Sequence, residues 1–403
     1  MTAADPRTPT LWPTADALHT AVQAFMDDTG YPGAVALVAM PEWETWIGAF
    51  GIADRDTGAP MQADMRMRVG SVTKTFTGTV VLQLVDEGKL SLDDTLAALL
   101  PEAADLPHAE TITLRQILNM RSGIFNYTEH PGLFGTVPGN EDRVWAPAEL
   151  VDIAREHDPY FAPGSDFHYS NTNYILLDMI VERVTGHPFG EELRTRILEP
   201  LGLTATTLPT TPEMPEPYAH GYGGDPALLN PERDPDAEVA EPGVAEPEAD
   251  AEKPAPARID LASLRDNTRF PPSLAAGAGA IVSTVADLDR WIDALLDGFS
   301  LTPETQAARM AMEPTPANEA EAAGGYGLGI MRQEGVTGHG GGILGYTCYA
   351  GRHDASGTNV VVLTNGEGNG TEEGSVIGIL RAIVRLLPGG DPSAETSKAA
   401  ETA

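Results

Sequence analysis

Ser71-Val72-Thr73-Lys74 brings a hydroxyl and an amine into reach of one another. Phe76, Val80, Val81, Leu84 and Val85 follow with the spacing of one helix face that stops at Gly88, so the pair opens a helix. On a helix, an i,i+3 spacing sets the two side chains next to each other. An N-cap serine followed by a solvated lysine is the plain structural reading of such a pair. Against it, a cation in the first turn faces the positive end of the helix macrodipole. A lysine there, partly desolvated, favours its neutral form and can take the serine proton, which makes the serine a nucleophile. Of the four lysines, Lys89 follows a helix stop, Lys253 lies in a Pro/Ala/Glu segment and Lys398 in a polar tail; Lys74 alone sits among apolar residues.

Two further segments can supply partners. Tyr169-Ser170-Asn171 precedes a helical pattern over 173–185. A phenol beside an ammonium can relay a proton, and an amide can hold both a lysine and a substrate carbonyl; the tripeptide is equally a common helix start. Gly338-His339-Gly340-Gly341-Gly342 lies just before a strand starting at 345. Glycines there either let a ligand approach the backbone, as an oxyanion hole and a substrate-binding edge strand require, or form a flexible turn. Phe134 and Trp145, in a Gly/Pro-rich connection between helices, are candidate substrate contacts. The other histidines show no His-Glu-x-x-His or His-x-His spacing, so neither a metal nor another cofactor is expected. His168 beside Tyr169 either lines the cleft or is exposed, and Cys348, alternating with Tyr346 and Ala350, reads as a buried structural thiol.

Positioning these residues takes elements from the whole chain. A helix is expected over 14–28, a hairpin of strands over 34–40 and 45–50, and short helices over 113–120 and 148–156. A helix over 286–296, strands over 345–350 and 359–364, and a last helix over 375–387 close the chain. Strands at both ends with helices between them give an α/β (α+β) architecture: one antiparallel sheet made from both termini, flanked by helices, with an inserted helical lobe. The expected parts are a flexible 1–13, a catalytic domain over 14–388 and a flexible tail over 389–403. The domain divides into an α/β part, 14–70 and 276–388, and a lobe, 71–275. Within the lobe, 232–258 holds nine acidic residues, three basic residues and five prolines without any period, and reads as a solvated insertion.

The chain has 403 residues and a net charge of −34. Clustered Lys and Arg are missing, which argues against nucleic acid and anionic membrane as partners. A single cysteine excludes an intramolecular disulfide and fits a reducing compartment. The residues before Thr14 include no basic n-region and no apolar run, so with Met1 as the natural start the expected location is cytoplasmic.

Ser71-x-x-Lys74, Tyr169-x-Asn171 and His339-x-Gly341, in this order and at these separations, resemble the three motifs of serine β-lactamases and penicillin-binding DD-peptidases. The Tyr-x-Asn and His-x-Gly version is similar to class C β-lactamases and, more closely, to actinobacterial DD-carboxypeptidases. Arg68 to Lys74, Gln83 to Leu90, Arg121 to Gly123, Tyr169 to Asn173, Gly277 to Gly279 and Tyr326 to Gly329 also resemble family segments, so the likeness covers roughly 14–388. The resemblance implies that Ser71 forms an acyl-enzyme, with Lys74 as its base and Tyr169 as proton relay. Asn171 would orient Lys74 and the substrate amide, His339 would replace a lysine that many relatives carry, and the backbone N–H groups of Ser71 and Gly342 would form the oxyanion hole.

The pattern departs where related carboxypeptidases bind a free substrate carboxylate, through hydroxyls of a His-Thr-Gly-Thr segment and an arginine on the preceding strand. The matching positions here are His339, Gly340, Gly341 and Gly342, and the arginine position falls on Met331; a one-residue shift would restore Arg332. The expected leaving group therefore lacks a free carboxylate. That fits the D-amino-acid-specific aminopeptidase, amidase and esterase group. It also fits the penicillin-binding-protein-type thioesterases, which would use Ser71 to take a peptide from a carrier-protein thioester and cyclise it. A carboxypeptidase or β-lactamase, and a binding module without catalysis, are the remaining readings.

Overall fold

The computed structural model describes residues 12–226, 258–315, 324–368 and 375–390. Most of 1–13, of the 232–258 insertion and of the 389–403 tail lies outside the described residues. The helices that position the site are α1 (Ala15–Thr29), α2 (Thr73–Asp86), α3 (Asn171–Thr185), α4 (Ala276–Gly279), α5 (Val285–Leu296) and α6 (Val376–Val384). The main strands are β1 (Gly33–Ala39), β2 (Trp46–Asp54), β3 (Ala59–Pro60), β4 (Met331–Gln333), β5 (Val336–Ile343), β6 (Tyr346–His353) and β7 (Thr358–Thr364).

These strands form one antiparallel sheet in the order β3-β2-β1-β7-β6-β5-β4. Both ends of the chain meet at its centre, where Ala36 pairs with Val362. Both central strands are buried on two faces, which is why they read as continuous apolar runs. On one face, Ala34, Ala36, Val38, Val360 and Val362 pack under α1 and α6, against Leu18, Val22, Ile379 and Ile383. On the other, Val35, Leu37, Val361 and Leu363 join a core that continues through Phe76 and Val80 of α2 to Leu176 and Ile180 of α3. Each Val, Leu, Ile or Phe side chain among them contributes about 1.5–3 kcal/mol by leaving water, and each alanine less.

Local signals set the ends of the elements. The Thr14 hydroxyl accepts the Ala17 N–H at 3.1 Å to start α1, and Gly30 ends it in the left-handed region at φ +75°. α5 starts on Thr284 and α6 on Ser375, each side chain capping its helix. Three expectations need correction. Ser71 sits in a 3-10 turn, Gly70–Val72, that leads into α2. α3 starts at Asn171 rather than 173, so Asn171 is its first residue. The glycine run, expected just before a strand starting at 345, is itself the body of a strand, β5, which takes over the sheet edge where β4 ends, so of the two readings left open for it the edge strand holds and the flexible turn does not.

Candidate active site

Ser71 is held against β5 by a backbone-to-backbone contact that only glycine permits. Gly70 has φ +48°, and a Cβ on it would lie 2.7 Å from the Gly342 N and O atoms. A Cβ on Gly341 would lie 2.1 Å from the Val69 carbonyl oxygen and 3.1 Å from the Ser71 N. The orientation of β5 follows from its period of two. The Gly340 N–H donates outward, to Met331 Sδ at 3.3 Å, so the Gly342 N–H faces the same edge. There β4 no longer covers it, because β4 pairs only with Val336 to Gly338. The Gly342 amide thus lies on an open edge beside Ser71, where two donors can converge on a developing oxyanion.

Lys74, in the first turn of α2, is fully buried. Its Nζ lies 3.0 Å from Ser71 Oγ, 2.6 Å from Asn171 Oδ1 and 2.8 Å from the Ala278 carbonyl of α4, and 4.8 Å over the centre of the Tyr169 ring. The Asn171 and Ala278 oxygens can only accept, so they take hydrogens of the amine. The third direction, toward Ser71, is where a neutral amine accepts the hydroxyl proton. The Asn171 amide is itself oriented: its Nδ2 donates to Thr128 Oγ1 at 3.1 Å and its backbone N–H to Asn126 Oδ1 at 3.0 Å. The segment carrying those partners is stitched to α3, since the Tyr127 N–H donates to Thr172 Oγ1 at 3.0 Å and that hydroxyl donates to the Phe125 carbonyl at 2.6 Å.

His339 is buried, with Nδ1 2.6 Å from the Gly340 carbonyl and Nε2 3.0 Å from the Tyr326 hydroxyl. A carbonyl only accepts, so Nδ1 carries the hydrogen and Nε2 accepts from Tyr326. Burial, and secondarily the charge on Lys74, lower the imidazole pKa to about 3. His339 is therefore an uncharged bridge, not a second cation. The Tyr169 ring lies near both His339 and Lys74, its centroid 6.3 Å from that of His339, 6.1 Å from that of Tyr326 and 4.8 Å from Lys74 Nζ.

Ser71, Tyr169, Asn171, His339 and Gly340 to Gly342 line one cavity of about 850 Å³, with Phe134, Phe270 and Leu274 among its apolar walls. Trp145 is not among the lining residues. It is buried under the Arg143 guanidinium, 3.4 Å from its ring centre, and its backbone N–H donates to Ser273 Oγ at 2.9 Å, so it backs the wall that ends in Leu274. His168 does line the cavity. Cys348 also borders it, but the thiol donates to the Val69 carbonyl at 3.0 Å and burial pushes its pKa up.

The β4 register settles the arginine position. Met331 is opposite Gly338 and turned to the cavity, whereas Arg332 points outward into an ion pair with Asp354 at 2.9 Å. No hydroxyl projects from Gly340 or Gly342.

Glu129 is a cavity residue that the sequence reading missed. It takes hydrogen bonds from the Tyr160 hydroxyl at 2.6 Å and Asn126 Nδ2 at 3.0 Å, with His168 Nε2 at 3.0 Å. Burial raises its pKa, but the bonds from His168, Tyr160 and Asn126 outweigh that and hold the carboxyl below its ordinary value. Tyr326 and Ala278 were visible only as members of resembling segments, without a role. Among the described residues no group of three His, Cys, Asp or Glu side chains can hold a metal ion, and no helix is long and apolar enough to cross a membrane.

A serine paired with a buried lysine at a helix start, an amide clamp on that lysine and an amide-bearing sheet edge define the arrangement of serine acyl-transfer enzymes built on a mixed α/β fold. Residues 18–382 match the family model described as Beta-lactamase, and the chain belongs to that family. A D-stereospecific amidohydrolase from Streptomyces sp. has the same fold, with a TM-score of 0.74 and 32% identity over 94% of this chain and 100% of that one. Among curated proteins, penicillin-binding protein 4 of Amycolatopsis lactamdurans is 36% identical over 44% of this chain and 45% of its own length. A D-aminopeptidase of Brucella anthropi is 33% identical over 52% of this chain and 39% of its own. The chain thus spans less than half the length of these two curated relatives.

Proposed function

We propose that this protein is a serine amidohydrolase that cleaves peptide-like amides or esters with a D-configured acyl residue and a leaving group without a free carboxylate. The observation that carries this is the sheet edge beside Ser71: Gly340 and Gly342 offer no hydroxyl, and Met331 stands where an arginine would meet a carboxylate. Hydrogen bonds to a charged group are worth roughly 1.5–3 kcal/mol each, so two missing ones lower turnover of a carboxylate-bearing substrate by about 10² to 10⁴. The D configuration rests on the named activities of the Streptomyces and Brucella relatives. Glu129 fits the free α-ammonium that an amino-acid amide or an aminopeptidase substrate carries.

In this reading Ser71 Oγ attacks the acyl carbon while Lys74 takes its proton. The tetrahedral oxyanion is met by the N–H groups of Ser71 and Gly342. Tyr169 passes the proton to the departing nitrogen or oxygen as the bond to it breaks, leaving the acyl group on Ser71. Water then adds with the same relay in reverse, the bond to Oγ breaks and the hydroxyl is restored. Asn171 orients Lys74 and the substrate amide, His339 fixes the edge strand, Gly340 and Gly341 admit the substrate backbone, and Phe134 contacts its apolar part.

The test is a panel of D- and L-phenylalanine amide, the D-phenylalanine methyl ester and a peptide ending in D-Ala-D-Ala, together with the mass of Ser71 after an activated ester. Hydrolysis of the D-amide and D-ester, with an adduct on Ser71 that Ser71→Ala lacks, supports the proposal. Efficient release of D-Ala from the peptide overturns it. A cyclic product from a peptidyl thioester would instead make the acceptor an amine and a peptidyl carrier protein the donor.

A further inference from the structure

One helix reaches Lys74 by two routes. Asn171, at the start of α3, touches it directly. Asp178 lies seven residues on and so on the same face of that helix. Its carboxylate accepts the Gly277 N–H at 3.1 Å, while the Thr77 hydroxyl of α2 donates to the Gly277 carbonyl at 2.7 Å. The next carbonyl along α4, that of Ala278, accepts from Lys74 Nζ at 2.8 Å. Gly277 is thereby tied at both its N–H and its C=O, and closely: a Cβ on it would lie 3.2 Å from Asp178 Oδ2 and 3.4 Å from Thr77 Oγ1.

A carboxyl at this place is costly. Asp178 is 6% exposed, and burial, with Glu182 one turn along α3 adding to it, raises its pKa to about 7. An apolar side chain would serve the core better. What the carboxyl offers instead is an acceptor aimed at one backbone N–H, adjacent to the carbonyl that faces the lysine.

We propose that Asp178 is a positioning residue for the proposed base Lys74: by tying Gly277 it holds the Ala278 carbonyl against the amine and so keeps the remaining direction of the nitrogen on Ser71. Thr77 is the second tether of the same device. The inference rests on the reading of Ser71 and Lys74 as nucleophile and base.

The experiment compares wild type with Asp178→Ala, Asp178→Asn and Thr77→Val in single-turnover acylation by an activated D-amino-acid ester, normalised to active sites titrated on Ser71. Asparagine keeps an acceptor for the Gly277 N–H; alanine does not. Expected are a tenfold or greater loss of acylation rate per active site in Asp178→Ala with KM within twofold, and recovery to within threefold of wild type in Asp178→Asn. Thr77→Val should lose rate in the same direction, and it tests the device independently should Asp178→Ala not fold. Rates per site within twofold of wild type in Asp178→Ala, or in Thr77→Val, overturn the proposal, as does an Asp178→Asn variant no better than alanine. A wild-type protein that forms no acyl adduct refutes the underlying function instead, so the two failures are distinct.

Discussion

Lys74 and Asn171, 97 residues apart in the chain, meet at 2.6 Å between Nζ and Oδ1. This contact joins the helix that starts beside the serine to the helix that bounds the far wall. Its orientation is fixed from behind by Thr128 and Asn126, so the amide presents oxygen and not nitrogen to the amine. Asn171 and Ala278 take hydrogens of the amine, whose nitrogen stands 3.0 Å from the Ser71 hydroxyl.

Removing the amine should therefore cost more than removing the clamp. Lys74→Ala is expected to lose about 10³-fold or more in kcat/KM on the D-amide, with Asn171→Ala losing on the order of 10²-fold, in line with the size of general-base and oriented-group effects. Both measured rates should be set against circular dichroism and active-site titration. An Asn171→Ala variant with wild-type kcat would show that the clamp is not used.

The site was legible in sequence as far as short-range geometry carried it. Ser71 and Lys74 are one helical turn apart, and Tyr169 and Asn171 straddle a helix start, so spacing alone brings each pair to a common side. Phe134 was placed in the cavity wall by its Gly/Pro-rich setting, but Trp145 in the same connection is not a lining residue: its ring is buried under Arg143. Composition cannot separate these two aromatics; burial does. Glu129 was invisible for the same reason, since its three partners, Asn126, Tyr160 and His168, converge only in three dimensions. That both chain ends build one antiparallel sheet was legible because β1 and β7 are apolar runs buried on both faces; the edge strands β3 and β4 were not, being only two and three residues long. For the glycine run the sequence left an edge strand and a flexible turn open, because glycine has low strand propensity; β5 needs glycine for its approach to Ser71, and that need decides for the strand.

Glu129 makes a prediction about substrate amines. Glu129→Gln should raise KM about tenfold or more for substrates with a free α-ammonium and leave N-acylated analogues within twofold, as expected when one charge-assisted contact is lost. Equal effects on both substrates would assign Glu129 to the scaffold of the loop instead.

Asp178 and His339 titrate in opposite senses. The folded pKa of Asp178 is raised to about 7 from 3.8, by burial first and Glu182 second and against the Gly277 N–H. Between these values the folded state holds the extra proton, so this group favours folding at low pH and that contribution is lost as pH rises toward 7. The folded pKa of His339 is lowered to about 3 from 6.5, by burial first and Lys74 second and against the Gly340 carbonyl. There the unfolded state holds the extra proton, so the contribution is present above 6.5 and lost as pH falls toward 3. From pH 4 to 6.5 the two slopes, each at most about 1.4 kcal/mol per pH unit, largely cancel. The Tm of Asp178→Asn minus that of wild type should therefore climb as pH rises across this window. The same difference for His339→Gln should climb as pH falls. Two flat differences would mean that neither group is buried in the state described.

The glycine edge yields the sharpest prediction, because space differs at neighbouring positions. A Cβ on Gly342 would meet nothing within 4 Å, and one on Gly340 would make ordinary contact with the Tyr349 ring at 3.4 Å, whereas one on Gly341 would collide with the Val69 carbonyl at 2.1 Å. Gly341→Ala should thus lose both stability and activity, while Gly340→Thr and Gly342→Thr should fold. Combined with Met331→Arg, the two threonines rebuild the missing carboxylate donors on the free edge. The triple variant is expected to shift the ratio of kcat/KM, D-Ala-D-Ala peptide over D-amide, by about 10² or more in favour of the peptide, the lower bound being roughly what two charged hydrogen bonds supply. An unchanged ratio in a folded triple variant that still acylates Ser71 would mean that the leaving group does not lie along this edge, and the preference against carboxylates would then have to originate at the cavity carboxylates, Glu129 and Glu367.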